Sequence, residues 1–308
     1  MTDHEPIRLR TLLGDYPVTL ALKRGEVRST AVALDFADVK MPSTAFKRVV
    51  RDLEFDVAEI ALMTFIMAKS YGRPLVLLPA ILFSRCQHPY LVYNAERGQV
   101  SPAGLAGRRV GIRSYSVTTV TWVRGVLAND HGVDLDRIRW VTFEEPHVAE
   151  YRDPPTVERA AEGKDLMTML LDGEVDAAIL GAVPDDPRLK PVIPDPIAAG
   201  TDWQTRNRAL QINHMVAVKE DLSKSHPQAV REVLRLLAES KQAAGMPAAS
   251  EIDTTPFGVD ANRHNLEIAI EYAYQQRLIP RGLEVDELFD EVTRVADARA
   301  LLGRQGQP

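Results

Sequence analysis

Glu54-Phe55-Asp56-Val57-Ala58-Glu59-Ile60-Ala61-Leu62-Met63 and Glu174-Val175-Asp176-Ala177-Ala178-Ile179-Leu180-Gly181-Ala182 say nearly the same thing 120 residues apart (176 − 56). Each follows an amphipathic helical stretch, and each reads as a short strand buried on both sides. An α/β unit used twice predicts two lobes, and two α/β lobes commonly hold a small molecule between them. The fold class expected is therefore α/β, two-lobed, each lobe a mixed sheet flanked by helices, with two hinge crossings. Asp56 and Asp176 are expected to be structural turn or capping residues rather than catalysts.

Outward from these segments, strands are predicted at 7–13, 32–36, 55–58, 75–80 and 90–93 in the first lobe. Helices are predicted at 19–24, 45–52 and 63–70. Ser43 or Thr44 would cap the helix over 45–52, whose inward face is Phe46, Val49 and Val50. Tyr71-Gly72-Arg73-Pro74 is a strong helix stop. The second lobe opens at 105–112, continues through a helix over 118–129 and a strand at 138–141, and reaches its repeat strand at Val175 through a helix at 166–171. The proline-rich stretch 184–196 is read as a surface connection. A strand at 215–218 returns to the first lobe, followed by helices at 227–244, 262–276 and 285–302. The expected division is 1–95 plus 214–308 against 96–213.

The chain has 308 residues, enough for two cores of ordinary size. Its 45% hydrophobic and 26% charged composition is that of a globular protein. A net charge of −6 gives no support for nucleic-acid binding, which normally uses a basic stripe. The N-terminus lacks a basic segment followed by an apolar one, no run suits a membrane span, and the single cysteine, Cys86, fits a reducing compartment. A cytoplasmic protein without nucleic-acid or membrane partners is expected, and self-association is left open.

Several segments resemble the 4,5-dihydroxyphthalate decarboxylase family, built on the type II periplasmic-binding-protein fold. Leu105-Ala106-Gly107-Arg108-Arg109-Val110-Gly111-Ile112 is similar to the "LxGKRVG" opening of the second lobe in that superfamily. Trp122-Val123-Arg124-Gly125-Val126-Leu127, followed by Gly132-Val133 and Ile138-Arg139-Trp140, resembles the family's "WxRGxL" helix with its "GV" turn and "I-W" strand. Phe83-Ser84-Arg85-Cys86-Gln87-His88 resembles "PSRxFRH", and Asn213-His214-Met215-Val216 resembles "IMHTVVI". The similarity runs over residues 8–241. The chain departs from the pattern at Gln87 and at Thr142-Phe143-Glu144-Glu145-Pro146-His147, where the family carries a glycine pair.

The resemblance implies cofactor-independent loss of CO2 from a dihydroxylated aromatic dicarboxylate, a step of aromatic catabolism and phthalate degradation. A deprotonated hydroxyl para to the leaving carboxylate lets the ring carbon take a proton before CO2 departs. The protein must then grip the carboxylates, protonate the ring and take the phenolic proton. Arg85 and Arg113 follow buried strands and suit bidentate carboxylate capture, although either could equally form an ordinary salt bridge. His88 and His214 are the acid–base candidates, because imidazole titrates near working pH. Ser114, Tyr115 and Thr118, with Thr119, stand at the turn into a helix, where backbone N–H groups attract an anion or a residue simply caps the helix. Thr64 is placed similarly in the first lobe. Glu145 and His147 complete the candidate substrate-binding set, with Glu144 and Glu145 favouring a charged His147. Arg124, inside its helix, is expected to pair with a neighbouring carboxylate more than to serve the site.

No short metal-ligand motif, phosphate loop or nucleophile elbow is present, so no metal site is assigned. The competing functional class is a binding protein that uses the same cleft for transport or sensing of a small organic anion. A related enzyme making a thiamine pyrimidine would need a cysteine-rich constellation that one cysteine cannot supply.

Overall fold

The computed structural model describes residues 5–248 and 252–294. In chain order the strands and helices are β1 (Ile7–Leu12), α1 (Pro17–Lys23), β2 (Val32–Phe36), β3 (Val57–Ala61), α2 (Leu62–Ser70) and β4 (Leu75–Ser84). These are followed by β5 (Leu91–Asn94), β6 (Arg109–Ile112), α3 (Thr118–His131), β7 (Arg139–Thr142), β8 (Val157–Arg159), α4 (Leu166–Asp172), β9 (Ala177–Ile179), β10 (Leu189–Pro191) and α5 (Pro196–Asn207). The chain ends with β11 (Ile212–Lys219), α6 (Glu220–Ser225), α7 (Pro227–Ala243), α8 (Val259–Gln275) and α9 (Glu291–Arg294).

Two compact units result. Among the described residues the first takes positions up to 85, 212–274 and from 279 onward, and the second takes 86–211 with 275–278. The first holds a five-stranded sheet in the order β2-β1-β3-β11-β4, and the second a six-stranded sheet in the order β10-β5-β9-β6-β7-β8. Each is mostly parallel with one inner antiparallel strand: β11 runs against β3 and β4, and β5 runs against β9 and β10. In the first unit Val216, Val218, Leu78 and Val76 pack with Val230, Val233, Leu234 and Leu237 of α7. In the second, Val92, Val141 and Ala178 pack with Met169 and Leu170 of α4. At roughly 25 cal/mol per Å² of apolar surface removed from water, such clusters dominate the stability of each unit.

The echoing segments share one piece of architecture. Asp56 accepts the Arg10 N–H (2.8 Å) and returns its own N–H to the Arg10 carbonyl (2.9 Å). Asp176 does the same with Arg109, at 2.9 and 2.8 Å. Each aspartate thereby locks its repeat strand, β3 or β9, to its parallel neighbour, β1 or β6, and a lysine or arginine covers the second oxygen: Lys219 on Asp56 and Arg108 on Asp176. Both are structural, as read from the sequence.

Several expectations are corrected. The 90–93 strand lies in the second unit, because β5 pairs with β9 through Leu91↔Ile179, so the chain changes units at 85/86 and not near 95. It changes back at 211/212. Residues 42–52 do not make one capped α-helix: Pro42–Ala45 is a 3-10 turn and Arg48–Asp52 a π-turn, with Met41 at the N-cap and no side-chain cap. The wide turn brings Arg48 to Glu54 at 2.5 Å while still burying Phe46, Val49 and Val50. The 184–196 connection contains an edge strand, β10, where Pro191 is tolerated. The helix expected at 285–302 is broken into a 3-10 turn at Val285–Leu288 and the short α9, and its remainder, 295–302, lies outside the described residues.

Candidate functional site

In the first unit, β3 and β11 place two side chains together. His214 stands opposite Ala61, and Val216 opposite Glu59. Alternation along each strand puts Glu59, Ala61, His214 and Val216 on one face, so Glu59 and His214 are diagonal neighbours that long side chains can span. They do: His214 Nδ1 lies 2.6 Å from Glu59 Oε1. The β11–β4 register is irregular on both sides of His214, and again between Met215 and Val216, where β4 carries Pro79, a residue with no N–H to give the ladder. Such irregularities re-aim side chains.

Glu59 is fully buried, and its charge is met by three donors. Gly14 N–H reaches Oε2 at 2.7 Å, while the Tyr16 hydroxyl reaches Oε1 at 2.6 Å beside the imidazole. The same hydroxyl is 3.2 Å from His214 Nδ1. Gly14 is required by close approach: a Cβ there would sit 2.9 Å from Glu59 Oε2 and 2.8 Å from the Tyr16 ring. Burial first, and then the Glu59 carboxylate, hold the Tyr16 proton on far above the usual phenol range, so Tyr16 serves as a donor.

With Glu59 accepting at Nδ1, the tautomer of His214 is set by the carboxylate, and Nε2 is the ring nitrogen that Glu59 does not engage. Its side chain is 18% exposed while that of Glu59 is 0% exposed. Aromatic rings frame it. Phe46 and Phe83 meet it edge-on at 5.3 and 5.8 Å, and Tyr16 stacks on Phe83 at 5.9 Å. The Arg85 guanidinium lies 5.5 Å from the Phe83 ring centre. Thr64 is buried in the first turn of α2. This cluster supplies a cation, an apolar aromatic wall and an imidazole backed by a carboxylate.

The second unit holds the other candidates. His88 is buried, with Nδ1 3.2 Å from Cys86 Sγ. Gly200 of α5 makes room, since a Cβ there would come within 2.0 Å of that sulfur. Burial pushes His88 down to about 4 and the Cys86 thiol up, which leaves a neutral imidazole beside a neutral thiol at physiological pH. Arg113 pairs with Glu144 at 3.5 Å, and its carbonyl accepts the N–H groups of Phe143 and Glu144. Ser114, Tyr115, Thr118 and His147 are buried, and Glu145 is exposed. Helix α3 starts at Thr118, and its N-cap, Val117, gives no side-chain cap.

Arg124 differs from its expected role because no carboxylate among the described residues pairs with it. It is fully buried, donates Nη2–H to the Tyr115 carbonyl at 2.7 Å, and stacks 3.6 Å from the Tyr115 ring centre with Trp140 at 5.6 Å. Its Nε and Nη1 have no hydrogen-bond partner.

The first unit thus brings His214, Arg85 and Phe83 together, and the second gathers Arg113, Ser114, Tyr115 and Thr118 on one loop and helix start. Glu59 and Tyr16 were missed from sequence. Glu59 left a signal, one carboxylate inside the apolar run 57–68, and a lone buried charge normally has a purpose. Tyr16 left none. Among the described residues no group of three His, Cys, Asp or Glu is placed to hold a metal, and no helix is long and apolar enough to cross a membrane.

The architecture is that of the type II periplasmic binding proteins. It matches the alkanesulfonate-binding protein SsuA from Xanthomonas axonopodis pv. citri, bound to MOPS, at a TM-score of 0.59 and 14% identity, over 93% of this chain and 99% of that one. In sequence the chain is similar to two 4,5-dihydroxyphthalate decarboxylases. That of Comamonas testosteroni is 27% identical over 257 residues, 77% of this chain and 76% of the relative. That of Pseudomonas putida is 29% identical over 210 residues, 64% of this chain and 81% of the relative. No family profile matches the chain.

Proposed function

We propose that this protein is a carboxy-lyase that converts a dihydroxylated aromatic dicarboxylate, 4,5-dihydroxyphthalate, to protocatechuate and CO2, with the Glu59–His214 pair delivering the proton. The carrying observation is a fully buried carboxylate whose oxygens accept from His214, Tyr16 and Gly14. The class is the one in which both curated relatives are named.

The chemistry follows from the geometry. His214 in its imidazolium form offers Nε2–H to the ring carbon that bears the leaving carboxylate, while Glu59 neutralises the charge through Nδ1–H. The carbon–carboxylate bond then breaks, CO2 leaves, and its electron pair restores the aromatic ring. Arg85 suits a substrate carboxylate because a guanidinium presents paired donors, and Phe46 and Phe83 give His214 an apolar flank. His214 takes the role of acid over His88, because the buried His88 is neutral at physiological pH, and a neutral imidazole is too weak an acid to protonate the ring. The group at Arg113, Ser114, Tyr115 and Thr118 is assigned to substrate binding, with Thr64, Glu145 and His147 as further members. We place the reaction in the cytoplasm, in line with the single unpaired cysteine.

The test is incubation of purified protein with 4,5-dihydroxyphthalate, following CO2 and protocatechuate. His214→Gln should lower kcat about 10²–10⁴-fold, the usual worth of a positioned proton donor. Binding without turnover by the unaltered protein would move the reading to a binding protein. A fully active His214→Gln variant would remove the assignment of the acid.

A further inference from the structure

The imidazole of His214 does not have the Glu59 carboxylate to itself. Glu59 Oε1 accepts from His214 Nδ1 and from the Tyr16 hydroxyl, each at 2.6 Å, so two donors share one oxygen. We propose that Tyr16 is a positioning residue of this site, whose hydroxyl disperses the charge on Glu59 and so lets the imidazolium of His214 release its Nε2–H more readily. All three residues belong to the first unit. The proposal deepens the decarboxylase reading, and its kinetic half rests on that reading.

The hydroxyl is held in place from two directions. The Tyr16 ring stacks on Phe83 with centroids 5.9 Å apart and planes 16° from parallel. The turn that carries Tyr16 is tied by Thr19, which is fully buried. The Thr19 hydroxyl donates to the Gly14 carbonyl at 2.7 Å and accepts the Tyr16 N–H at 3.0 Å. One hydroxyl thereby fixes both residues that reach Glu59 from this turn. Burial first, and then Glu59, keep the phenol protonated, so Tyr16 gives a hydrogen bond and is not itself the proton source.

Charge gives the direction of the effect. A donor to a carboxylate stabilises its ionised form and weakens its pull on any other proton it shares. Without the Tyr16 hydroxyl, the charge on Oε1 falls on Nδ1–H alone, and the imidazolium is held more tightly. One contact opposes this, because the hydroxyl oxygen also lies 3.2 Å from Nδ1 and can accept from it. The 2.6 Å bond to a full charge is the stronger of the two. The other charges around the pair are the same with or without the hydroxyl. Asp15, which acts on Tyr16, is paired with Lys23, and Asp56 of β3 is paired with Lys219 of β11 at 2.9 Å. Arg85, just past β4, lies 5.5 Å from the Phe83 ring centre. The 42–46 turn and the start of α2 bring Phe46 and Thr64, which do not titrate.

The experiment compares the full unaltered chain with Tyr16→Phe, which keeps the ring and removes only the hydroxyl. Without substrate, an NMR titration of the His214 ring should show its midpoint moving to higher pH by about one unit. With 4,5-dihydroxyphthalate, kcat on its low-pH plateau should fall about three- to tenfold, its high-pH limb should move upward with the midpoint, and KM should barely change. General loosening of the fold does not produce a rising midpoint together with a falling kcat. Thr19→Val, which frees the turn carrying the hydroxyl, should shift the midpoint the same way by less, and it takes over the test where Tyr16→Phe does not fold. A midpoint that stays or falls in the folded variant overturns the proposal and leaves the decarboxylase reading in place. A midpoint that rises in a protein whose unaltered form turns nothing over removes that reading and leaves the effect of Tyr16 on His214 standing.

Discussion

The two repeat strands, β3 and β9, share an aspartate lock, an apolar run and an antiparallel neighbour, yet only one of them carries an ionisable side chain within its buried run. Position 59 on β3 corresponds to position 179 on β9 (59 + 120), and there glutamate becomes isoleucine. The neighbouring antiparallel strands diverge in the same way. β11 presents His214 to Glu59, whereas β5 is preceded by His88, whose imidazole meets a thiol. The same supersecondary frame therefore holds one imidazole paired with a buried carboxylate and one that burial keeps neutral. The difference teaches that the frame sets where an imidazole stands, and its nearest partner sets what it does.

The sharpest way to break the comparison is to copy the second unit into the first. Glu59→Gln, which keeps the shape and removes the charge, should lower kcat about 10²–10⁴-fold with little change in KM. Glu59→Ile, which installs the residue of β9, should lose at least as much. Retained activity in a Glu59→Gln protein with an unaltered circular dichroism spectrum would separate His214 from its carboxylate.

Next in size is a pH effect confined to the second unit. His88 is held near 4 when folded against about 6.5 when unfolded, so between those values only the unfolded chain takes up the proton. Stability contributed by neutral burial is whole above about pH 6.5 and is lost as pH falls toward 4, by up to about 3 kcal/mol. Urea denaturation at pH 7.5 and 4.5 checks this, and His88→Gln should flatten the difference. An unchanged slope in His88→Gln would show that the imidazole titrates normally.

Arg85→Ala should raise KM about tenfold to a hundredfold, the worth of a charge-assisted hydrogen bond to a carboxylate, with a smaller change in kcat. An effect on kcat alone would make Arg85 part of proton delivery. The smallest and most symmetrical effect belongs to the shared lock. Asp56→Ala and Asp176→Ala should each cost about 1–2 kcal/mol in chemical denaturation, the lower end being favoured by the partial exposure of both side chains. A large gap between the two would mean that the repeats are less alike in energy than in geometry.

Much of the frame was legible because burial leaves a period. β2 falls where the 32–36 alternation puts it, α2 ends at its stop signal, α7 ends within a residue of the expected 244, and α3 begins at Thr118 as expected. What escaped was decided by tertiary partners. Leu91 reads as a strand residue in either unit, and only its pairing with Ile179 assigns it. The turns over 42–52 follow from Pro42 and the Arg48–Glu54 contact, neither of which has a periodic signature. His214 and Arg85 could be picked out by residue type and resemblance, but Tyr16 could not. Its hydroxyl meets Glu59 only after β1, β3 and β11 are assembled.

Gly14 offers no functional group, yet the carboxylate of Glu59 fills the space where its side chain would begin. In a saturation library, codon 14 should consequently be as unforgiving as a residue that touches substrate. The sequence record of this protein's descendants would then keep a bare hydrogen there for as long as the reaction is needed.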